Sequence, residues 1–324
     1  MIIRFCRIIW KKRGLMNLEF KKLKAEDMRM LAPYFSLRPN KTCDSGFLDS
    51  FLWSDYYQVE YCCVDQKAVL WKMEFEGEVY SAMPLCKEED LAYYFQLSQQ
   101  YFNEVLNLPY KISLADEEAV KFLKLEENPD YLVVEKEDAK DYLYDAEELR
   151  TLPGKRFHKK KNLVNKFKRE YEGRWEYRRM LCEDKTILWQ FLEEWYAHKA
   201  KAGVDEAESL EAEVKGIHGI IQNCCQMEFR LGGIFIDGKL EAFSIGNYNP
   251  KEEMAIIDIE KANSSIPGIY QMINQQFLIH EFPQAKLVNR EDDVGIEGLR
   301  KAKQSYNPIG YARKYWVEQK ETTI

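Results

Sequence analysis

The sequence has no apolar run long enough to cross a bilayer, no C-x-x-C pair, no H-E-x-x-H motif and no low-complexity or Gly/Ser-rich tract. Each absence removes a class of function. A bilayer span needs about 20 consecutive apolar residues, so no transmembrane segment is predicted. The eight cysteines are scattered, and the vicinal pairs Cys62-Cys63 and Cys224-Cys225 sit in apolar segments, where they read as small buried hydrophobes. Reduced thiols in a cytoplasmic protein are therefore expected. The four histidines, at 158, 198, 218 and 280, form no Cys/His ligand set, so no metal site is expected. His198 and His280 read as helix-end or packing residues.

The N-terminal "MIIRFCRIIWKKRGLM" is too short to span a bilayer and lacks a small-residue cleavage site. Residues 1–16 read as an extension from a mis-called start upstream of Met16, or as a short amphipathic segment touching a membrane. Nothing else in the chain supports peripheral membrane contact.

What is present is length, apolar content and uneven charge. The 324 residues, 46% of them hydrophobic, suffice for two domains each with its own core. The formal net charge of -7 argues against wholesale coating by nucleic acid. Its distribution is lopsided: residues 116–148 hold thirteen acids against four bases, and residues 155–169, "KRFHKKKNLVNKFKR", hold eight bases and no acid.

Periodicity predicts a strand near 18–23, helices near 25–34 and 45–53, and strands near 57–64, 67–75 and 78–83. Hairpin signals at Asp65-Gln66 and Glu76-Gly77 join those three strands. A helix near 88–105, a strand near 110–114, a helix near 116–124 and a strand near 131–135 follow. The second half opens with a basic helix near 155–171, whose Leu163, Val164, Phe167 and Tyr171 form an apolar stripe. Next come a strand near 174–181, helices near 185–200 and 208–225, and strands near 228–236 and 239–248 joined at Asp237-Gly238. A strand near 253–260, a helix with Pro267 in its first turn, a strand at "AKLVN", a helix near 295–305 and a last strand at "YARKYWVE" complete the chain. With the basic helix set aside, the second half repeats the element order of the first. Two α+β domains, 17–149 and 150–324, are expected, meeting near 149–154.

Two stretches carry chemistry: "LPGKRFHKKKNLVNKF" and "NREDDVGIEGLRKAKQSYNP", residues 289–308. The second packs three acids, a glycine, a run of bases and a tyrosine; Glu297 and Lys301, at i,i+4, would also suit a plain solvated helix.

The element order resembles the Gcn5-related N-acetyltransferase fold. Two copies in tandem are similar to aminoacyl-tRNA-dependent transferases, Fem-type peptidoglycan enzymes and the C-terminal domain of phosphatidylglycerol lysyltransferases. The two quoted stretches extend the likeness to uncharacterised bacterial members of that last family, over roughly residues 17–318. The resemblance implies a tandem duplicated acyltransferase fold, two mixed central sheets flanked by helices, with a non-catalytic first domain. It implies donor contacts at Gly268 and Tyr270 in "KANSSIPGIYQ", although the alternating arginine and glycine signature that binds coenzyme A is missing there. In the first half, Glu88, Glu89 and Asp90 stand at the corresponding helix start and would repel phosphate. Asn289 and Tyr306 match the pair that orients substrate and protonates the leaving group, and Tyr306 also suits a buried core position.

Acyl transfer to an amine needs a base, and Glu291, Asp292 and Asp293 are three adjacent candidates whose mutual repulsion raises their proton affinity. Asp293 also suits the N-cap of the following helix. Glu291 and Asp292 could instead grip the ammonium of an aminoacyl donor. Arg290, Arg300 and Lys303, with Lys301 beside them, would face a phosphate or carboxylate. Lys155, Arg156, Lys159, Lys160 and Lys161 form a phosphate platform for tRNA, with Phe157 and His158 available for stacking, or simply a solvated face. No tightly bound cofactor is expected, because an activated ester carries its own energy. The expected function is an acyl or aminoacyl transferase with aminoacyl-tRNA as donor and a small-molecule or peptide acceptor. The alternatives are an acetyl-coenzyme A-dependent N-acetyltransferase and a non-catalytic RNA-binding or protein-interaction module.

Overall fold

The computed structural model describes residues 18–201 and 207–320. The expectation for residues 1–16 lies outside the described residues. The first half forms, in order, β1 (Lys21–Lys22), α1 (Met28–Phe35), α2 (Phe47–Leu52), β2 (Glu60–Val64), β3 (Ala68–Phe75), β4 (Glu78–Tyr80), α3 (Leu91–Tyr101), β5 (Lys111–Asp116), α4 (Glu117–Phe122) and β6 (Tyr131–Glu135). Then follow β7 (Asp141–Asp145), α5 (Ala146–Thr151), α6 (His158–Glu170), β8 (Trp175–Arg179), α7 (Lys185–Lys201) and α8 (Ala207–Gln222). The chain continues through β9 (Arg230–Ile236), β10 (Lys239–Asn249), β11 (Met254–Ala262), α9 (Ile269–Glu281), β12 (Leu287–Asn289), α10 (Glu297–Gln304), β13 (Gly310–Ala312) and β14 (Lys314–Gln319). Among the described residues, no helix is long and apolar enough to cross a membrane.

These elements form two compact units that do not follow the expected boundary near 149–154. The first unit takes the chain up to Asn40, Ser54–Ala139 and the part from Arg313 onward; the second takes Lys41–Trp53 and Lys140–Ala312. The first holds the sheets β1-β2-β3-β4 and β5-β14-β6, bridged in parallel at Ser81 and Ile112. The second holds one sheet in the order β13-β7-β12-β11-β10-β9-β8. Read from β1 and from β8, the two series match strand for strand. In each, the sixth place is taken by the last strand of the other repeat: β14 lies between β5 and β6, and β7 between β12 and β13. The duplication expected from element order is present, with its final strands exchanged. The predicted single strand at "YARKYWVE" therefore divides at Arg313 into β13, which serves one unit, and β14, which serves the other.

Local chemistry explains the register. At the three hairpins both central residues have positive φ, 54° and 56° at Asp65 and Gln66, 52° and 78° at Glu76 and Gly77, 51° and 81° at Asp237 and Gly238. That backbone matches the twist of the strands it joins. The first unit's core joins Leu70, Phe95, Tyr110, Ile112 and Val317. In the second, the apolar face of α9 (Met272, Ile273, Phe277) packs with Phe167 of α6 and with Ile234, Ala242 and Ile257 of the sheet.

The seam between α6 and α9 depends on Gly268, the residue before α9, which has φ +87°. A Cβ there would lie 2.5 Å from the Leu163 carbonyl oxygen. Gly268→Ala is expected to cost about 1–3 kcal/mol, through the left-handed backbone and the contact together, measured as a shift in the urea midpoint. Cys182 and Cys224 are joined as a disulfide, contrary to the expectation of reduced thiols throughout, and Cys63 and Cys225 are exposed rather than buried. His280 does pack, stacked on Tyr177 with ring centroids 4.6 Å apart.

Candidate active site

The parallel strands β11 and β12 pair at only three positions, Met254 with Leu287, Ala255 with Val288 and Ile256 with Asn289. Beyond Asn289 the ladder ends while β11 runs on to Ala262, so Asp258, Glu260, Arg290 and Glu291 lie where the sheet has opened. The carboxyl ends of parallel strands, at a break in their pairing, are where open α/β sheets place ligands.

Glu291 occupies this opening with φ +57°, its N–H donating to Asn289 Oδ1 at 2.6 Å and its carbonyl accepting from Tyr142 N at 3.1 Å. The backbone is thus held at both ends, while the side-chain Oε1 is sealed from solvent and accepts no hydrogen bond. Burial pushes its carboxyl well above the ordinary range; the facing carboxylates Asp49 and Asp258 add to the shift, and the Lys303 ammonium opposes it. Asp49 comes from α2 and Asp258 from β11, and both are buried. Asp258 accepts from Asn247 Nδ2 with both oxygens at 3.0 Å, yet its own burial still raises its proton affinity. Gly46 makes room for Asn247, since a Cβ there would fall 2.8 Å from Asn247 Nδ2.

Arg290 belongs to a second, cationic cluster. Its Nη2 donates to Glu260 Oε1 at 3.1 Å, and Glu260 Oε2 accepts from Asn274 Nδ2 at 3.2 Å. The Arg290 guanidinium and Lys160 Nζ lie 4.7 Å and 4.0 Å from the centroid of the Tyr306 ring. The buried Tyr306 hydroxyl forms no hydrogen bond of ordinary geometry, with Arg290 and Gln271 nearest it, and burial raises its pKa to about 12. Burial and the nearby Arg290 charge lower Lys160 to about 8. Carboxylate and cation clusters thus meet at the consecutive residues Arg290 and Glu291.

Residues 35–318 match the family described as phosphatidylglycerol lysyltransferase, C-terminal. The chain belongs to that family. Among solved structures, a conserved protein of unknown function from Bacteroides thetaiotaomicron has a TM-score of 0.84 at 25% identity, covering 94% of this chain and 100% of that one. L-PGS from Bacillus licheniformis shares the fold with a TM-score of 0.66 at 14% identity, over 94% of this chain and 95% of its own. An uncharacterized protein of Mycoplasmoides gallisepticum is 25% identical over 183 residues, 56% of this chain and 57% of that protein. That alignment spans a little over half the relative's length. Membership of the phosphatidylglycerol lysyltransferase C-terminal family goes with the tandem fold expected from its element order.

In this family member, several residues expected to meet ligand are committed to the protein itself. Asn289 is fully buried, its Nδ2 donating to Lys41 O at 2.8 Å and Asp141 Oδ2 at 2.9 Å, which makes it a positioning residue for Glu291. Asp292 accepts from Val294 N at 3.2 Å. Lys303 is buried, and its ammonium donates to the carbonyls of Arg290, at 2.5 Å, and Asp292, clamping the loop. Arg300 grips Asp293 with two hydrogen bonds of 2.9 and 2.8 Å instead of facing a ligand. Asp293 does not cap α10, whose N-cap is Ile296. Tyr270 donates to the Ala262 carbonyl at 3.2 Å. Gly268 is buried against α6, with the Leu163 carbonyl where a phosphate was expected to approach.

On the basic helix, Lys155, Lys159 and Lys161 are exposed, Lys160 turns onto Tyr306, and Arg156 pairs with Glu148. Phe157 is fully buried, so of the two expected stacking residues only His158 remains at the surface. In the first unit, the end of β5, which corresponds to the end of β12, is filled by a buried ion pair. Arg38 donates to Asp116 at 2.7 and 2.5 Å, and Asp116 also caps α4.

Sequence reasoning missed Asp49, Asp258, Glu260 and Asn247. Asp258 carried a signal: it is the one acid inside the apolar run Met254–Ile259, where burial of a charge needs a reason. Asp49 carried none, because Glu291, the carboxyl it faces at this site, lies more than 200 residues away in the chain.

Proposed function

We propose that the chain transfers an aminoacyl group from aminoacyl-tRNA to an amine or hydroxyl of a small molecule or peptide. The observation that carries this reading is the Glu291 carboxyl, fixed through its backbone, with an unbonded oxygen and a proton affinity raised by burial among acids. A base poised in this way takes the proton of an attacking amine. As the nitrogen bonds to the ester carbon, the carbon–oxygen bond to the tRNA ribose breaks, and the departing oxygen takes the proton of the Tyr306 hydroxyl. The carboxyl oxygens of Asp49, Asp258 and Glu291 offer hydrogen-bond acceptors to an ammonium group, which an aminoacyl donor carries and an acetyl donor lacks. Lys160 and Arg290, on the Tyr306 ring, supply positive charge for the donor's terminal phosphate. Exposed Lys155, in the turn before α6, and Lys159 and Lys161 on α6 extend that charge. The buried backbone at Gly268 and the missing glycine-spaced signature weigh against coenzyme A.

The test incubates the purified chain with labelled aminoacyl-tRNA or with acetyl-coenzyme A and a panel of amines. Donor-specific binding and accelerated loss of the tRNA ester are expected. Turnover of acetyl-coenzyme A with no effect on aminoacyl-tRNA would overturn the reading, and binding of tRNA without any turnover would make the chain an RNA-binding module.

A further result is expected at Lys160. Lys160→Met, which keeps an apolar stem over Tyr306, should weaken donor binding roughly tenfold through loss of one charged hydrogen-bond donor. With its pKa near about 8, Lys160 loses its charge as pH rises through that value, so wild-type affinity should fall above pH about 8 and the variant's should not. Replacing Lys159 and Lys161 with alanine should flatten the salt dependence of tRNA binding, and an unchanged slope would return them to a solvated surface.

A further inference from the structure

The second unit brings together three cysteines that the transfer reaction does not use. Cys182 begins the turn leading into α7, while Cys224 and Cys225 follow the end of α8. The Cα atoms of Cys182 and Cys224, 42 residues apart in sequence, are 5.6 Å apart and their sulfurs are bonded. Cys225 is exposed and carries a free thiol, and the three sulfurs all lie within 4.8 Å of one another. A disulfide needs two sulfurs, and its role as a tether leaves the third without a function.

Three sulfur ligands at this spacing suit a thiophilic ion. Around tetrahedral zinc, with zinc–sulfur bonds of about 2.3 Å, ligand sulfurs stand about 3.8 Å apart, so small side-chain rotations close the triangle. Exposure of Cys225 leaves the fourth position open to water or an external ligand. We propose that Cys182, Cys224 and Cys225 form a redox-gated site for a d10 cation such as zinc: open when the three thiols are reduced, closed when Cys182 and Cys224 are oxidised. A dithiol reductant opens it, its two thiols becoming a disulfide as the Cys182–Cys224 bond takes up two electrons and two protons. Metal entry then displaces the three thiol protons. A small-molecule disulfide reverses the step, gaining the two electrons from Cys182 and Cys224 while the ion departs.

The test uses the full chain and cadmium as probe, followed by the thiolate-to-cadmium charge-transfer band in the ultraviolet. After reduction by a phosphine, wild type should bind one equivalent at this site, and protein whose disulfide is shown intact by mass spectrometry should not. Cys225→Ser, at an exposed position that packing does not depend on, should weaken binding roughly a hundredfold or more, since one of three thiolates is lost. Cys182→Ala provides an independent arm with the same expected loss. Cys43→Ser should keep the band, because Cys43 belongs to a separate cluster with Asp44 and Asp49. Equal binding by oxidised and reduced protein, unchanged affinity in Cys225→Ser, or loss of the band in Cys43→Ser would each overturn the proposal.

Discussion

Glu291→Gln is expected to slow transfer by roughly a hundred- to ten-thousandfold, the usual contribution of a positioned general base, while making the fold more resistant to heat at neutral pH. The opposite signs follow from one cause. A carboxyl whose pKa is raised in the folded state holds its proton more tightly there than in the unfolded chain. Its contribution to folding stability is therefore greatest below the ordinary carboxylate range and declines as pH climbs toward the raised value. Above it, an ionised Glu291 faces Asp49 and Asp258 in a buried setting. The amide keeps the shape, removes the charge and stops the decline. Activity depends on pH in the other direction, because the base works only when ionised: the wild-type rate should rise with pH through the Glu291 titration. The variant should lack that limb. Thermal melting at two pH values beside a pH–rate profile reads both effects. A variant with the wild-type rate, or one that melts lower at neutral pH, would remove Glu291 from the role of buried base.

How much of this was legible in the sequence depends on how local each cause is. The hairpins at Asp65-Gln66, Glu76-Gly77 and Asp237-Gly238 were legible because two residues alone decide a left-handed turn. The α9 stripe of Ile269, Met272, Ile273 and Phe277 was legible from period, and all four are buried. Strand β7 was not. Its alternation, Asp141-Tyr142-Leu143-Tyr144-Asp145, lies within an acidic stretch, and the sheet that pairs it is built mainly from the second half. The exchange of β7 and β14 has no signature in either strand, since pairing partners are a property of topology.

At the site, sequence reasoning located the corner that gathers acids, bases and phenol but misjudged which charges were spare. Arg300 and Lys303 read as ligand-facing because a charge in sequence does not reveal its partner. In the fold those partners are the Asp293 carboxylate and the carbonyls of Arg290 and Asp292, brought back by a turn. Glu291 Oε1 remained unbonded because Asn289, Tyr142 and Lys303 hold the backbone and neighbours of Glu291 rather than that oxygen.

That holding network supports the second large expected effect. Asp293 accepts from Arg300 twice, from Tyr142 Oη at 2.5 Å and from Gly295 N at 3.0 Å, tying the loop after β12 to both β7 and α10. The Arg300 hydrogen bonds, helped by Tyr142 and the Gly295 amide, hold its carboxyl down at about 2. A depressed acid contributes stability above its unfolded value, near 4, and loses it as pH falls toward 2. Across that interval the contribution is about 2 kcal/mol, allowing for the partly exposed Arg300. Asp293→Asn should therefore destabilise the protein by about 2–4 kcal/mol at pH 7, the upper part coming from loss of the charge opposite Arg300 together with the loop hydrogen bonds. The deficit should shrink as wild type and variant are compared at successively lower pH. Because the loop carries Glu291, the variant should also lose transfer rate more than donor affinity. Urea titrations at pH 7 and at about pH 3 separate this from simple loss of packing. A deficit of the same size at both would mean that Asp293 fills space rather than anchoring the loop by charge, and the position of Glu291 would then need another explanation.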